Sequence, residues 1–174
     1  MTRKRQLLRG DVDRARFVDR ILERWLHERS ALTLYQLALA RSEGLDVERL
    51  RRFRDEVRLH AEMLEGLLAE LGVAPREQPA WGSASLAASE MAMLLDAARG
   101  DLETRHLVQV LLTAERLDAA GWELLIELGR EADLDEEWLR SFRAAGRAEA
   151  EHEHYLRDQL LKLERAALFS PAPI

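Results

Sequence analysis

Residues 149–160 read EAEHEHYLRDQL and place three glutamates and two histidines in six consecutive positions of a helical segment. Polar residues at this density usually form a solvated face. Glu149 and His152 are three residues apart, however, and so are Glu151 and His154. On a helix this spacing puts two side chains on the same face, where both can bind one metal ion.

One of these two pairs continues the apolar face of its helix. The apolar positions, at steps of three, four and eleven residues, are Trp138, Phe142, Ala145, Leu156 and Leu160. Glu149 and His152 complete this series, whereas Glu151 and His154 lie roughly a quarter-turn or more aside on a helix of about 3.6 residues per turn. The sequence therefore predicts that Glu149 and His152 point inward. Glu151 and His154 are expected on a solvated face, with His154 as a reserve metal ligand.

The other three long helical segments also carry ionisable residues within an apolar face. These are Glu28 in the first, His60 with the adjacent Glu56 in the second, and Glu115 with Asp118 in the third. A buried carboxylate must be compensated by a proton, a cationic partner or a metal ion. Mid-helix positions of antiparallel helices meet at one level, so these residues are expected to form a metal site. His27 and His106 lie off the apolar faces and are interpreted as ordinary paired or partly exposed residues.

The composition indicates packed helices in a single domain. The chain has 174 residues, 47% of them hydrophobic and 33% charged, with nine glycines and four prolines. The formal net charge of −6 favours neither a nucleic-acid nor a membrane partner. The absence of cysteine excludes disulfides and thiolate metal sites. With no apolar run of signal-peptide or membrane-spanning type, a cytoplasmic protein is expected.

Apolar periodicity and helix-ending residues predict the order of the helices. Long helices are expected over about 12–42, 47–71, 102–131 and 136–167, and a shorter one over about 85–99. Gly44 and Gly72 end the first two, Asp46 caps the second, and the ADLDEEW segment supplies a turn and a capping aspartate. The prediction is an all-α four-helix bundle with one long crossover that contains a short extra helix. Residues 1–174 form one domain, with loose termini at about 1–11 and 168–174.

This pattern resembles the ferritin-like superfamily, which includes bacterioferritins, rubrerythrins and small bacterial stress proteins. Its members use one glutamate from each of two helices and a Glu-x-x-His motif from each of the other two to hold two iron or manganese ions. The resemblance covers nearly the whole chain. It implies that Glu28 and Glu115 are single glutamate ligands and that Glu149 with His152 is the motif of the last helix.

The second helix departs from the family pattern. In EVRLHAEML, residues 56–64, His60 matches the histidine of the motif, but Val57 occupies the place of its bridging glutamate. The resemblance then implies that Glu115 or Glu56 bridges the ions, and that Asp118 and Tyr35 orient the histidines. The ERLD segment, residues 115–118, also resembles a third-helix motif of related stress proteins, which keeps Asp118 as a further candidate ligand.

Three functional hypotheses follow. The first is a ferritin-like di-metal protein that oxidises metal or consumes dioxygen or peroxide under oxidative or metal stress. The second is a degenerate bundle with one metal ion or none, acting as a structural or partner-binding stress protein. The third is a helical interaction module whose buried acids are neutralised by arginines. A homodimer is the expected assembly, since two-fold homodimers are the commonest.

Overall fold

The computed structural model describes residues 12–41, 43–74 and 82–169, and these contain five α-helices and no β-strand. The helices are α1 (Arg14–Ala40), α2 (Val47–Glu70), α3 (Ser83–Arg99), α4 (Thr104–Glu131) and α5 (Glu136–Phe169). The all-α class and the short helix in the long connection are therefore confirmed. Residues 1–11, most of the 73–83 loop and the final SPAPI segment lie outside the described residues.

The helix ends follow the predicted capping residues. The Asp46 side chain accepts a hydrogen bond from the Arg49 N–H at 3.0 Å, and Asp135 accepts one from the Glu137 N–H at 3.0 Å. Gly72 follows α2 with a φ of +71°, the left-handed conformation that glycine adopts most readily. At the other end of the chain, α5 continues through Leu168 and Phe169, which were expected in a loose terminus. The helix can continue to Phe169 because Ser170 is the first residue whose helical conformation is disfavoured by a following proline.

The four long helices pack antiparallel to their neighbours. α1 contacts α2, α3 and α4, and α5 contacts α4 and α2. Between α1 and α2, Trp25 contacts Glu65 and Tyr35 contacts Phe53, so residue numbers rise in one helix as they fall in the other. Between α4 and α5 the same order is given by Arg105 with Glu164 and Glu115 with His152. Between α2 and α5 it is given by Phe53 with Tyr155 and His60 with Glu149. The middles of the four helices therefore meet at one level.

A layer of ionisable side chains separates two apolar clusters at this level. One cluster lies around Tyr35, Phe53 and Leu111, and the other around Ile21, Trp122 and Phe142. The buried polar residues between them are Arg24, His27, Glu28, Glu115, Asp118, Glu149 and His152. The expectation that the polar interruptions of the apolar faces meet at one height is confirmed.

The inward face of α1 differs from the predicted one. The apolar periodicity of the sequence predicts one buried stripe through Val18, Leu22, Trp25, Leu32, Tyr35 and Leu39. Of these, Val18, Trp25, Leu32 and Leu39 are only half-buried. The buried apolar face runs through Phe17, Ile21, Leu22, Ala31, Leu34, Tyr35 and Ala38, so that only Leu22 and Tyr35 of the predicted apolar stripe are buried. The reason is tertiary, because α1 is covered by three helices and α3 covers a side that its sequence does not mark as apolar. For the same reason His27, placed off the apolar face, is buried.

Candidate metal centre

Five side chains from all four long helices form two overlapping groups of possible metal ligands. The groups are Glu28–His60–Glu149 and Glu115–Glu149–His152, and within each the ligand atoms lie within 4.8 Å of one another. The side chains of four of the five are fully buried, and that of His60 is 12% exposed. We call these five residues the candidate metal centre. They are five of the six principal ligand candidates expected from the sequence.

Glu149 belongs to both groups. Its Oε1 lies 2.7 Å from Nδ1 of His60, and its Oε2 lies 3.2 Å from Nδ1 of His152. The resemblance implied that Glu115 or Glu56 would be the bridging carboxylate, but the structure gives the shared position to Glu149. The cause is the packing of α5, which contacts both α2 and α4, so that a residue on its inner face reaches ligands on both sides.

Glu56, the sixth candidate, lies behind His152. Its Oε2 is 2.7 Å from Nε2 of His152, whereas the Nδ1 atom of the same ring faces Glu115 at 3.2 Å. The inward position on α2 is taken by the buried Val57. Glu56 is the adjacent residue, and adjacent residues on a helix are rotated by about 100° from each other. Glu56 is therefore placed to orient the imidazole of His152, and it is in neither ligand group.

The two further candidates have other partners. Asp118 is buried and accepts a hydrogen bond from Nη2 of Arg24, and Nδ1 of His27 lies 3.3 Å from it. Its charge is thus compensated by an arginine. Within the described residues its polar partners are Arg24 and His27, and not His60 or His152, which it was expected to orient. His154 is exposed on the outer face of α5, beside Arg157 at 2.8 Å and Asp158 at 3.3 Å.

Tyr35, the other residue expected to orient a histidine, lies against His152. Its ring meets the imidazole edge-to-face, with centroids 6.3 Å apart. The hydroxyl is fully buried and has no hydrogen-bond partner within the described part of the chain. Burial, together with the charges of Glu115 and Glu149, raises the pKa of this hydroxyl well above its ordinary value. Tyr35 therefore keeps its proton beside the candidate metal centre.

Several atoms of the candidate metal centre lack hydrogen bonds of acceptable geometry. Among the residues that the structure describes, they are both oxygens of Glu149, Oε2 of Glu28, Oε1 of Glu115 and Nδ1 of His60. Buried polar atoms are nearly always satisfied, so such a group needs an explanation. Carboxylate oxygens with imidazole nitrogens form the donor set of iron, manganese and zinc sites. The residues thus fit a metal ion and could hold one, although they do not identify the metal.

In this layer the charges of the buried carboxylates can be compensated either by protons or by metal ions. Burial alone would lower the pKa of each histidine, but the neighbouring carboxylates raise it to about 10 for His60 and about 11 for His152. Burial and the charge of Glu149 raise the pKa of Glu28 to about 7 and that of Glu115 well above its ordinary value. Burial opposes ionisation of Glu149 too, but contacts with both histidines hold its pKa below the usual range.

Two residues of this layer were missed or only partly anticipated from the sequence. Arg24 is 2% exposed and donates from Nη1 to the carbonyl oxygens of Leu117 and Asp118, both at 3.1 Å. Its signal was available, because Arg24 lies four residues before Glu28 and three after Ile21 on the buried face. Trp122 lies on the apolar face of its helix, and the sequence predicts a core aromatic there that could lie beside a cofactor. In the structure it donates from Nε1 to Oε1 of Glu28 at 2.8 Å.

No model of a known protein family, no curated protein and no solved structure gives a significant match to the chain. The ferritin-like resemblance accordingly rests on the sequence pattern alone and stays a prediction. Within the described residues, no helix is both long enough and apolar enough to cross a membrane.

Proposed function

We propose that the chain is a ferritin-like, di-metal carboxylate protein that binds two iron or manganese ions and oxidises metal or consumes dioxygen or peroxide under oxidative or metal stress. One observation carries the proposal. The Glu149 carboxylate turns one oxygen to His60 and the other to His152, as a residue shared by two ions would. Two adjacent ligand groups with a common carboxylate favour a pair of ions over a single one.

Each half of the candidate metal centre would hold one ion. Glu28, His60 and Oε1 of Glu149 form the first half, here called the His60 half-site. Glu115, His152 and Oε2 of Glu149 form the second, the His152 half-site. Two adjacent redox-active ions would supply electrons jointly to dioxygen or peroxide. The protein's part is to present hard oxygen donors with imidazole nitrogen and to exclude water with the apolar clusters on either side.

The test is a metal count on defined variants. The purified protein would be loaded anaerobically with ferrous iron, desalted, and analysed for iron and manganese per chain. Two ions per chain are expected for the wild type, one for His60→Ala or His152→Ala, and none for Glu149→Ala. Glu153→Ala is the matched control, because Glu153 lies one turn further along α5 and pairs with Arg116 at the surface. Oxygen and peroxide consumption by the loaded protein would then be measured.

The degenerate-bundle hypothesis has its own supporting observation. His60 and His152, with their raised pKa values, can neutralise the buried carboxylates as imidazolium ions, and Val57 leaves α2 without an inward glutamate. A wild-type count of one ion or none, unaffected by Glu149→Ala, would support this second hypothesis. Two ions that survive in Glu149→Ala would contradict the shared role of Glu149 in particular.

A further inference from the structure

The two oxygens of Glu28 have different surroundings. Oε1 accepts the hydrogen bond from the Trp122 indole at 2.8 Å, and Nε of Arg24 lies 3.8 Å from it. Oε2 faces Nδ1 of His60 at 3.5 Å and has no hydrogen bond within the described residues. One oxygen is thus held by the protein, and only the other is available to the His60 half-site.

The groups that hold Oε1 of Glu28 depend on residues 118–122 of α4. Trp122 is fully buried, and its ring also packs edge-to-face on His60, with centroids 5.8 Å apart. The neighbouring Gly121 gives Arg24 its space, since a Cβ atom there would lie 3.0 Å from Cζ of Arg24 and closer still to Nη1. Asp118 then anchors the guanidinium. The two contacts that Trp122 makes with the candidate metal centre, to Glu28 and to His60, fall within one half-site.

The His152 half-site is held differently. Glu115 has Oε2 at 3.2 Å from Nδ1 of His152, and its Oε1 has no hydrogen bond among the residues described. Among the described residues, no tryptophan or arginine donates a hydrogen bond to either oxygen of Glu115. His152 is instead oriented through its ring, by Glu56 at Nε2 and by Phe53, whose ring centroid is 4.1 Å away. The Tyr35 hydroxyl interacts with the Glu115 carboxylate but makes no hydrogen bond of acceptable geometry to it, so both Glu115 oxygens can serve a cation.

We propose that Trp122 is a positioning residue for the His60 half-site alone and that, with Arg24, it restricts Glu28 to a single donor oxygen. This inference rests on the proposed function. The His60 half-site then offers three donor atoms, from Glu28, His60 and Glu149, against four in the His152 half-site. The imidazole of His60 is also partly exposed, whereas that of His152 is not. The ion in the His60 half-site is accordingly the weaker-bound and exchangeable member of the pair.

The experiment is an anaerobic Mn²⁺ titration followed by calorimetry and electron paramagnetic resonance. The wild type should bind two ions with unequal affinities. Trp122→Phe keeps an aromatic ring and leaves Arg24 beside Oε1 of Glu28, so the variant does not free a second donor oxygen. It removes the N–H that orients the carboxylate, and losing such an orienting partner weakens metal binding by about tenfold or more. We expect that loss in the weaker dissociation constant only. In a His60→Ala background, Trp122→Phe should leave the remaining site unchanged.

Trp25→Phe is the matched control. Trp25 donates from Nε1 to Oε1 of Glu65 at 2.9 Å, which is the same type of bond between α1 and α2 outside the candidate metal centre. This variant should leave both affinities unchanged. If Trp122→Phe does not fold, as judged by circular dichroism, Gly121→Ala tests the same hold by displacing the Arg24 guanidinium. It should weaken the same single site.

The outcomes separate the two proposals. A wild type that binds no Mn²⁺ overturns the proposed function, and the inference falls with it. A wild type that binds two ions, with Trp122→Phe weakening both equally or neither, overturns the inference and leaves the proposed function standing. Equal affinities of the two ions in the wild type would also overturn the assignment of an exchangeable site.

Discussion

The Oε2 atom of Glu56 lies 2.7 Å from Nε2 of His152, on the side of the imidazole away from the Nδ1 atom that faces the candidate metal centre. A carboxylate in this position fixes the orientation of a metal-binding histidine and raises its basicity. Glu56 therefore contributes to the candidate metal centre through His152, although it lies one residue away from the inward face of α2.

Replacing Glu56 should weaken metal binding without changing its stoichiometry. In Glu56→Gln, the orienting charge behind His152 is lost while the ligand set is kept, so the affinity of one ion should fall by about 10-fold or more. Competition with a coloured chelator would measure it. Glu62→Gln is the control, since Glu62 lies on the same helix and pairs with Arg58 at the surface. Loss of a whole ion in Glu56→Gln would instead make Glu56 a direct ligand.

Metal binding should release protons. In the absence of metal, the raised pKa values keep His60 and His152 protonated at pH 6 and Glu28 largely so, and each must lose its proton to act as a ligand. The affinity for Mn²⁺ should therefore rise between pH 5.5 and 7.5. Calorimetry in two buffers of different ionisation enthalpy would count the released protons. A pH-independent affinity with no proton release would contradict these ligand assignments.

The stability of the chelator-treated protein should move in the opposite direction. The raised pKa of Glu28, about 7, disfavours its ionised form in the fold, so stability falls as pH rises from its ordinary 4.5 through 7. The raised pKa of His60, about 10, gives stability that is complete below 6.5 and is lost as pH rises towards 10. Glu149, with its lowered pKa, loses its contribution only in acid, below 4.5.

Urea unfolding of the chelator-treated protein at pH 5 and pH 8 would measure this dependence, and we expect the greater free energy of unfolding at pH 5. Glu28→Gln should reduce the difference between the two values, because that residue no longer titrates. Saturating Mn²⁺ should make the protein more resistant to urea at pH 8 than at pH 5. Greater stability of the chelator-treated protein at pH 8 would contradict the prediction.

The Arg24–Asp118 pair should be strongly coupled. Both side chains are almost completely buried, and removing one partner of a buried ion pair costs about 3–5 kcal/mol because the other charge is left uncompensated. Arg24→Met should show a loss of that size in urea unfolding. In the double variant Arg24→Met/Asp118→Asn, much of the loss should be recovered. Additive losses in the double variant would show that the two charges do not depend on each other.

The attachment of α3 to α1 should depend on Asp19. Its carboxylate accepts hydrogen bonds from the N–H groups of Ser83 at 2.8 Å and Ala84 at 3.3 Å, and so caps α3 from another helix. Asp19→Ala should cost about 1 kcal/mol, as the loss of an N-cap does, and should accelerate amide exchange in α3. Asp13→Ala is the control, since Asp13 caps α1 in the same way. It should destabilise by a similar amount and leave exchange in α3 unchanged.

Apolar periodicity was enough to predict most of the fold. It gave five helices with ends close to those observed, because capping aspartates and positive-φ glycines act locally. It also identified the inward pair Glu149 and His152, since the apolar residues of α5 leave only one face for burial. The same reasoning failed on α1, where Val18 and Leu39 are only half-buried. A helix covered by three others has no single apolar stripe from which its inward direction can be read.

The sequence by itself determined the helices, the level at which their polar residues meet, and the residues available to bind a metal. Only the tertiary structure decided which position each of these residues takes in the candidate metal centre, because that depends on distances of a few ångströms between different helices. Packing of α5 between α2 and α4 makes Glu149 the shared carboxylate, and a rotation of one residue on α2 puts Glu56 behind His152. The space at Gly121 lets Arg24 neutralise Asp118, a pairing between residues 94 positions apart in the chain.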